Sequence, residues 1–355
     1  MNPISKVVLK TIRFSILFFA ISVSSLLFAD ANANEKLIEA TLEGDPDEVQ
    51  KALETGTDIN FAYQNESEIP KNSIRHREQI LGRTAFGLVY DRLYFYGNED
   101  RIEYQKKFRK IEQILKNAGA KITNPNELLL TASFTGNIEQ TKFALENGAD
   151  VDTHDFFYVT PIQRAITFQH EPIVNLLLRK DASVNLTPLQ KQINSSSVKI
   201  LYPPLLIASY KGNKKIVIKL IRAGANVNWI GFDGAPSALM MATRENHTQI
   251  VKILIKNGVK LKNGQELMNL IMAIARKNLE LTKIFVNAGT NINAYGPHGI
   301  TPFVTAVESG SIEIVDFLLK KGVDTKALAQ EAIEIAQKNK DQKMLLFLKS
   351  HGIKE

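Results

Sequence analysis

The residues of this chain that could do chemistry are few. Asp152-Thr153-His154-Asp155 sets three hard oxygen- or nitrogen-donating groups within four positions, a pattern a divalent cation can use. The six histidines are otherwise dispersed, with His170 and His247 near short turns, His298 before Gly299 and His351 before Gly352. There is no cysteine, so disulfides and thiolate metal sites are impossible. No glycine-rich phosphate loop, G-x-S-x-G elbow or H-E-x-x-H pair occurs. A Ser–His–Asp arrangement needs no adjacency in sequence, so spacing leaves it open. Acidic pairs such as Glu99-Asp100 read as exposed charge. This inventory predicts no catalytic residue, no cofactor and no metal.

The elements that would have to position any site repeat themselves. A cassette of about 33 residues recurs from near residue 35 onward, each copy ending in a glycine after an apolar run. The glycines fall at 56, 119, 148, 224, 258, 289, 322 and 352, with Asp181 in the slot between 148 and 224. Twelve residues upstream of each, Gly119 aside, a short turn is marked by Gly44, Gly136, Gln169, Gly212, Asn246, Lys277, Gly310 and Lys340. Four residues earlier stands a small residue: Ala40, Ala132, Ala165, Ala208, Ala242, Ala273, Ala306 or Ala336. Thr301-Pro302-Phe303-Val304-Thr305-Ala306, with Ser309-Gly310 and Ile314-Val315, is one of the clearest copies. Thr160-Pro161-Ile162-Gln163-Arg164-Ala165, with Ile173-Val174, is another. Over roughly 320 residues the chain resembles the ankyrin-repeat family. The resemblance implies an all-α solenoid of about nine helix–turn–helix repeats joined by β-turn fingers.

The physics of one copy agrees. Threonine suits the N-cap and proline the first helical position. Ala165, Ala208 or Ala306 lets two helices approach closely. The second helix carries apolar pairs at helical spacing, as in Ile250-Val251 with Ile253-Leu254. Glycine ends it in a left-handed conformation, and a polar finger such as Asp150-Val151-Asp152 or Asn226-Val227-Asn228 turns the chain into the next pair. The acid-rich pair from Glu35 to Leu53 and the polar pair from Leu328 to Lys349 read as caps.

Ahead of the array, Lys6, Lys10 and Arg13 precede the apolar run Phe14 to Phe28, followed by Ala29-Asp30-Ala31-Asn32-Ala33. This is the pattern of a secretory signal peptide over residues 1–31, with cleavage after Ala31 or Ala33. An uncleaved anchor is the alternative, although the run is short for a membrane span. The array would then occupy 34–355, without stable membrane insertion. The formal net charge of +7 falls to +5 once three cations and Asp30 are removed. The basic clusters Arg75-His76-Arg77 and Lys106-Lys107-Phe108-Arg109-Lys110 read as solvated faces, and no nucleic-acid partner is expected. With no cysteine, a bacterial envelope setting fits, the periplasm before the medium.

The copies depart from one another at insertions near 61–83, 90–107 and 186–202. The second of these should lengthen both helices of the second repeat by about two turns. The finger tips carry aromatic residues: Phe61 and Tyr63, Phe156, Phe157 and Tyr158, Trp229 and Phe232, and Tyr295. By the family resemblance, Phe134, Arg164, Phe168, Tyr210, Lys211, Met241 and Arg244 would share a concave face with them. That face would grip a folded protein partner, because aromatic and arginine anchors dominate interfaces. The alternative is that several aromatics fold back and complete the core. The resemblance also places His170 and His247 at a structural position beside the inter-helix turn, and Asp152–Asp155 in an acidic finger. The expectation is a monomeric, non-catalytic binding protein, an inhibitor, immunity protein or scaffold of the envelope. A secreted effector and an enzyme with an unrecognised site are the other classes.

Overall fold

The computed structural model describes residues 33–63, 83–95, 102–155, 157–185, 202–230, 236–261 and 265–354. The proposed signal segment, most of the first insertion, Phe156 and Phe232 lie outside them. The chain forms two compact units, Met1–Asp181 and Ala182–Glu355.

In the N-terminal unit the helices are residues 33–43 (α1), Pro46–Glu54 (α2), Ala85–Phe95 (α3), Ile102–Asn117 (α4), Pro125–Thr135 (α5), Ile138–Glu146 (α6), Pro161–Thr167 (α7) and Glu171–Arg179 (α8). The first helices stack, α3 on α5 and α5 on α7, while α6 packs on α8 and α2 on α4. In the C-terminal unit they are Pro204–Lys211 (α9), Lys214–Arg222 (α10), Ala238–Arg244 (α11), Thr248–Lys256 (α12), Glu266–Ala275 (α13), Leu279–Asn287 (α14), Pro302–Ser309 (α15), Ile312–Lys320 (α16), Ala329–Lys338 (α17) and Gln342–Ser350 (α18). There α9, α11, α13, α15 and α17 form one continuous stack. The fold is all-α.

The stacking follows from the residue pattern. Ala132, Ala165, Ala208, Ala242, Ala273 and Ala306 are all wholly buried, so neighbouring first helices meet without a large side chain between them. The second helices α8, α10, α12 and α16 insert a branched pair, Ile173-Val174, Ile216-Val217, Ile250-Val251 or Ile314-Val315, into the core. Burying one such side chain contributes about 1.5–3 kcal/mol, which no single pair could realise alone. Fingers are tied by asparagine: Asn126 Oδ1 accepts from Asp150 N (2.7 Å), Asn228 Oδ1 from Lys260 N (2.7 Å) and Asn293 Oδ1 from Asp324 N (2.9 Å).

Proline opens α2, α5, α7, α9 and α15. Thr301 caps α15 as expected, its Oγ1 accepting from Val304 N at 3.2 Å. Thr160 behaves differently. Its N–H and hydroxyl both donate to Gln163 Oε1, at 2.8 and 3.0 Å. The turn positions are left-handed whether or not they hold glycine: φ is 81° at Gly136 and 75° at Gly212, and 59° at Gln169, 60° at Asn246 and 55° at Lys277. Asp181 takes the missing glycine's conformation, with φ 60°.

The second repeat differs from its neighbours in helix length. Its second helix, α4, has 16 residues against 9 in α6, about two extra turns. Its first helix, α3, is described over 11 residues, to Phe95, and residues 96–101 of the insertion lie outside the described residues.

Candidate functional site

The main departure from expectation is a buried charge network in the N-terminal unit. Arg164, on α7, is the largest wholly buried side chain in the described residues. One guanidinium nitrogen donates to Asp155 Oδ2 at 2.8 Å and to Asp91 Oδ1 of α3, and the other donates to Leu130 O of α5 at 3.2 Å. Arg83 grips the same Asp91 through both carboxylate oxygens at 2.7 Å. Its Nε lies 3.8 Å from Glu127 Oε1. Glu127 in turn accepts from Thr84 N at 2.8 Å and from Thr84 Oγ1 at 3.1 Å. Three repeats and one finger are thus joined by five charged side chains with almost no solvent contact.

Local sequence makes room for this. Gly87 lacks a side chain where Glu127 lies; a Cβ there would stand 1.6 Å from Glu127 Oε1. The finger closes through Asp155, whose Oδ1 accepts from Val159 N at 2.8 Å and whose backbone N–H donates to Val159 O at 3.1 Å. Burial pushes the Glu127 carboxyl up to about 7, against the opposing pull of Arg83 and the Thr84 N–H. Burial likewise raises Asp155, with Arg164 opposing. Asp155 was one of the cluster that resembled a hard-cation site. It points instead to Arg164, and among the described residues no group of three acids or histidines is placed to hold a metal.

This network corrects the expected binding face. Arg164 cannot meet a partner, because it is wholly buried and held by Asp91, Asp155 and Leu130 inside the fold. Phe134 is also buried, 4.6 Å in ring-centroid distance from Phe168 and 5.9 Å from Tyr90. Tyr63 is a core residue, edge-on to half-buried Phe61 at 4.8 Å, and burial pushes its phenol up to about 12. Phe157 is half-buried, with the Arg92 guanidinium 6.0 Å from its ring. Met241 is buried in the C-terminal unit. These side chains fold inward because each finger or first-helix position lies over a neighbouring repeat that offers apolar contact.

The C-terminal unit keeps more of its predicted residues at the surface. Tyr210 is 41% exposed and stands between two cations, Lys211 Nζ at 5.6 Å and the Arg244 guanidinium at 5.4 Å from its ring centre. Arg244 is half-buried and paired with Glu245 at 2.9 Å. Arg276 Nε donates to Arg244 O at 2.8 Å, bringing a further cation to the same edge. Tyr295 is 62% exposed and Trp229 half-buried, both on fingers. The structure therefore brings Tyr210 and Arg244 together and leaves Tyr295 and Trp229 on separate fingers. The two turn histidines are structural: His170 Nε2 lies 3.0 Å from Phe134 O and His247 Nε2 3.1 Å from Tyr210 O. Gly136 and Gly212 admit these rings, since a Cβ at either would come within 2.7 Å of the imidazole.

A family model described as ankyrin repeats (3 copies) matches residues 192–265 and 270–355. These residues are ankyrin repeats. The ankyrin region is 27% identical over 164 residues to the nuclear factor NF-kappa-B p105 subunit of Gallus gallus, covering 44% of this chain and 16% of that protein. It is 25% identical over 168 residues to the ankyrin repeat and KH domain-containing protein mask-1 of Caenorhabditis elegans, covering 47% and 6%. The chain thus spans less than a quarter of the length of either relative. Among solved structures, the human ASB11 ankyrin repeat domain aligns with a TM-score of 0.45 and 21% identity, over 56% of this chain and 85% of that one. Ankyrin repeats are protein–protein interaction modules, and that much holds for this chain. No helix of the described residues is long and apolar enough to cross a membrane.

Proposed function

We propose that this ankyrin-repeat chain is an exported, non-catalytic module that grips a folded protein partner, with the bacterial periplasm as its compartment. The observation that carries the binding surface is Tyr210, exposed and flanked by Lys211 and Arg244 on the first-helix edge of the C-terminal unit. An aromatic ring set between cations is the composition of an interface anchor. Tyr295 and Trp229 add contacts from separate fingers of the same unit. Export rests on the charged, apolar and small-residue pattern of residues 6–33. In that compartment the module serves as an inhibitor or immunity protein, or as a scaffold for an envelope enzyme. An inhibitor silences its partner's activity, whereas a scaffold leaves it active.

Crosslinked pull-down from native envelope, repeated with Tyr210→Ala, tests the reading. The variant should keep its melting temperature and weaken capture about tenfold. Unchanged capture would remove the C-terminal edge from consideration. The mature protein should begin at Asn32 or Asn34 by mass analysis, and an intact Met1 on membrane-bound protein would overturn the export reading.

A further inference from the structure

Between the second and third repeats the array is left open. Eight residues before the closing glycine of each repeat, the second helix presents a residue to the repeat before it. Ile173, Ile216, Ile250, Leu281 and Ile314 fill that position and are buried. Gln140 fills it on α6 and is exposed. The only comparable polar choice in the described second helices is Glu48 on α2, where no described repeat precedes. The facing wall is altered too. On α4, Glu112 and Lys116 stand where α8, α10 and α12 have Val174 and Leu178, Val217 and Ile221, and Val251 and Ile255. Glu112 and Lys116 pair at 2.6 Å, and the Tyr90 hydroxyl donates to Glu112 at 3.0 Å. Three positions that are apolar in α8, α10 and α12 are thus polar across this junction.

The result is a groove of about 550 Å³. Phe86, Tyr90 and Leu128 are among its apolar lining, and Phe143, 58% exposed, stands at its edge. Its charged lining residues are Lys116 and Lys121, with no acid among them, although residues 33–181 carry 24 Asp and Glu against 18 Lys and Arg. Lys116 is occupied by Glu112, while the exposed Lys121 ammonium makes no ion pair with any described residue. A slot of this size, with aromatic walls and a cation at the rim, suits one large apolar side chain flanked by a carboxylate.

We infer that the groove between α4 and α6 is a second docking site, separate from the Tyr210 edge, for a short extended segment of a protein partner that carries an aromatic residue between acidic ones. This rests on the protein-binding reading and names the chemistry of one contact. The cationic rim selects the acids, and the gap left by Gln140 admits the ring.

Fluorescence anisotropy of the full chain with the labelled peptide Gly-Asp-Phe-Asp-Gly tests it. Gly-Asp-Ala-Asp-Gly and Gly-Lys-Phe-Lys-Gly are the controls. The first peptide should bind saturably and each control at least about tenfold more weakly. Gln140→Ile restores the aliphatic weld, so it should raise the melting temperature and cut binding about tenfold. Lys121→Glu lies on the exposed rim, leaves the fold intact and should cut it similarly. Equal binding of the three peptides, no binding of any, or full binding by both variants overturns the inference. The two readings separate in the envelope pull-down. Capture that survives Gln140→Ile but fails in Tyr210→Ala keeps the protein-binding module and discards the groove.

Discussion

The two units use one repeat to different ends. Counting back from the buried alanine, α9, α11 and α13 place Leu206-Ile207, Met240-Met241 and Ile271-Met272 before it, whereas α7 places Gln163-Arg164. The C-terminal unit thus stacks its first helices through aliphatic contact, and its cations remain on the outside. Residues 182–355 carry 23 Lys and Arg against 12 Asp and Glu, and Lys211, Arg244 and Arg276 line one edge. The N-terminal unit turns its charges inward, binding α3, α5 and α7 through Arg83, Asp91, Glu127, Asp155 and Arg164. The first helices therefore keep their charges outside in one unit and turn them inward, to lock neighbouring repeats, in the other. What decides is whether an acid from another repeat lies within reach.

The largest effect should come from removing the centre of that lock. Arg164→Met leaves Asp91 and Asp155 buried with too little positive charge, and the N-terminal unit should lose about 3–5 kcal/mol in urea unfolding. The matching change in the other unit, Met241→Leu, should cost less than about 1.5 kcal/mol. A loss below about 1 kcal/mol for Arg164→Met would mean that the network contributes no more than ordinary packing.

Next in size is a pH effect confined to the N-terminal unit. Folding raises the Glu127 carboxyl from 4.5 to about 7. Its contribution to stability is therefore fully present below pH 4.5 and is lost as pH rises through 7. The loss is on the order of 3 kcal/mol. Glu127→Gln, which cannot ionise, should remove this part of the pH dependence and leave α3 and α5 amides better protected at pH 8. Identical pH profiles for variant and parent would show that Glu127 remains charged in the fold.

The smallest effect should be common to both units. His170→Ala and His247→Ala each delete one inter-repeat hydrogen bond to a first-helix carbonyl, so each should cost about 1 kcal/mol. Costs differing by more than about twofold would extend the contrast between the units to the turn ladder itself.

The repeat was legible because its signals are periodic. The turn, the alanine and the apolar pair recur at fixed offsets, so the helix pairs follow from spacing, while the structural role of His170 and His247 follows from the family resemblance. The charge network was not legible because it is non-periodic: Arg164 and Asp91 are 73 residues apart and Glu127 and Thr84 are 43 apart. Gln163-Arg164 among aliphatic neighbours, and Gly87 in the first turn of a first helix, were its only sequence signals. Aromatic content predicted finger contacts but not their direction. Tyr63 and Phe134 turned inward while Tyr210 and Tyr295 stayed out, because that choice depends on what the adjacent repeat offers.

The left-handed turns have a consequence for redesign. Gln169, Asn246, Lys277 and Lys340 hold φ between 55° and 60°, a region where side-chain residues are disfavoured by about 1 kcal/mol. The stack imposes this geometry on whatever residue arrives, so glycine is required only at corners such as Gly136 and Gly212, where a histidine ring occupies the space of a Cβ. Asn246 also accepts from Asn278 Nδ2 at 2.7 Å, which gives that corner a reason to keep its side chain. At Gln169, Lys277 and Lys340 a single codon change to glycine should relax the backbone while the helices on either side stay as they are. Thermal tolerance then becomes a property that can be tuned repeat by repeat, from the corners of the stack rather than from its core.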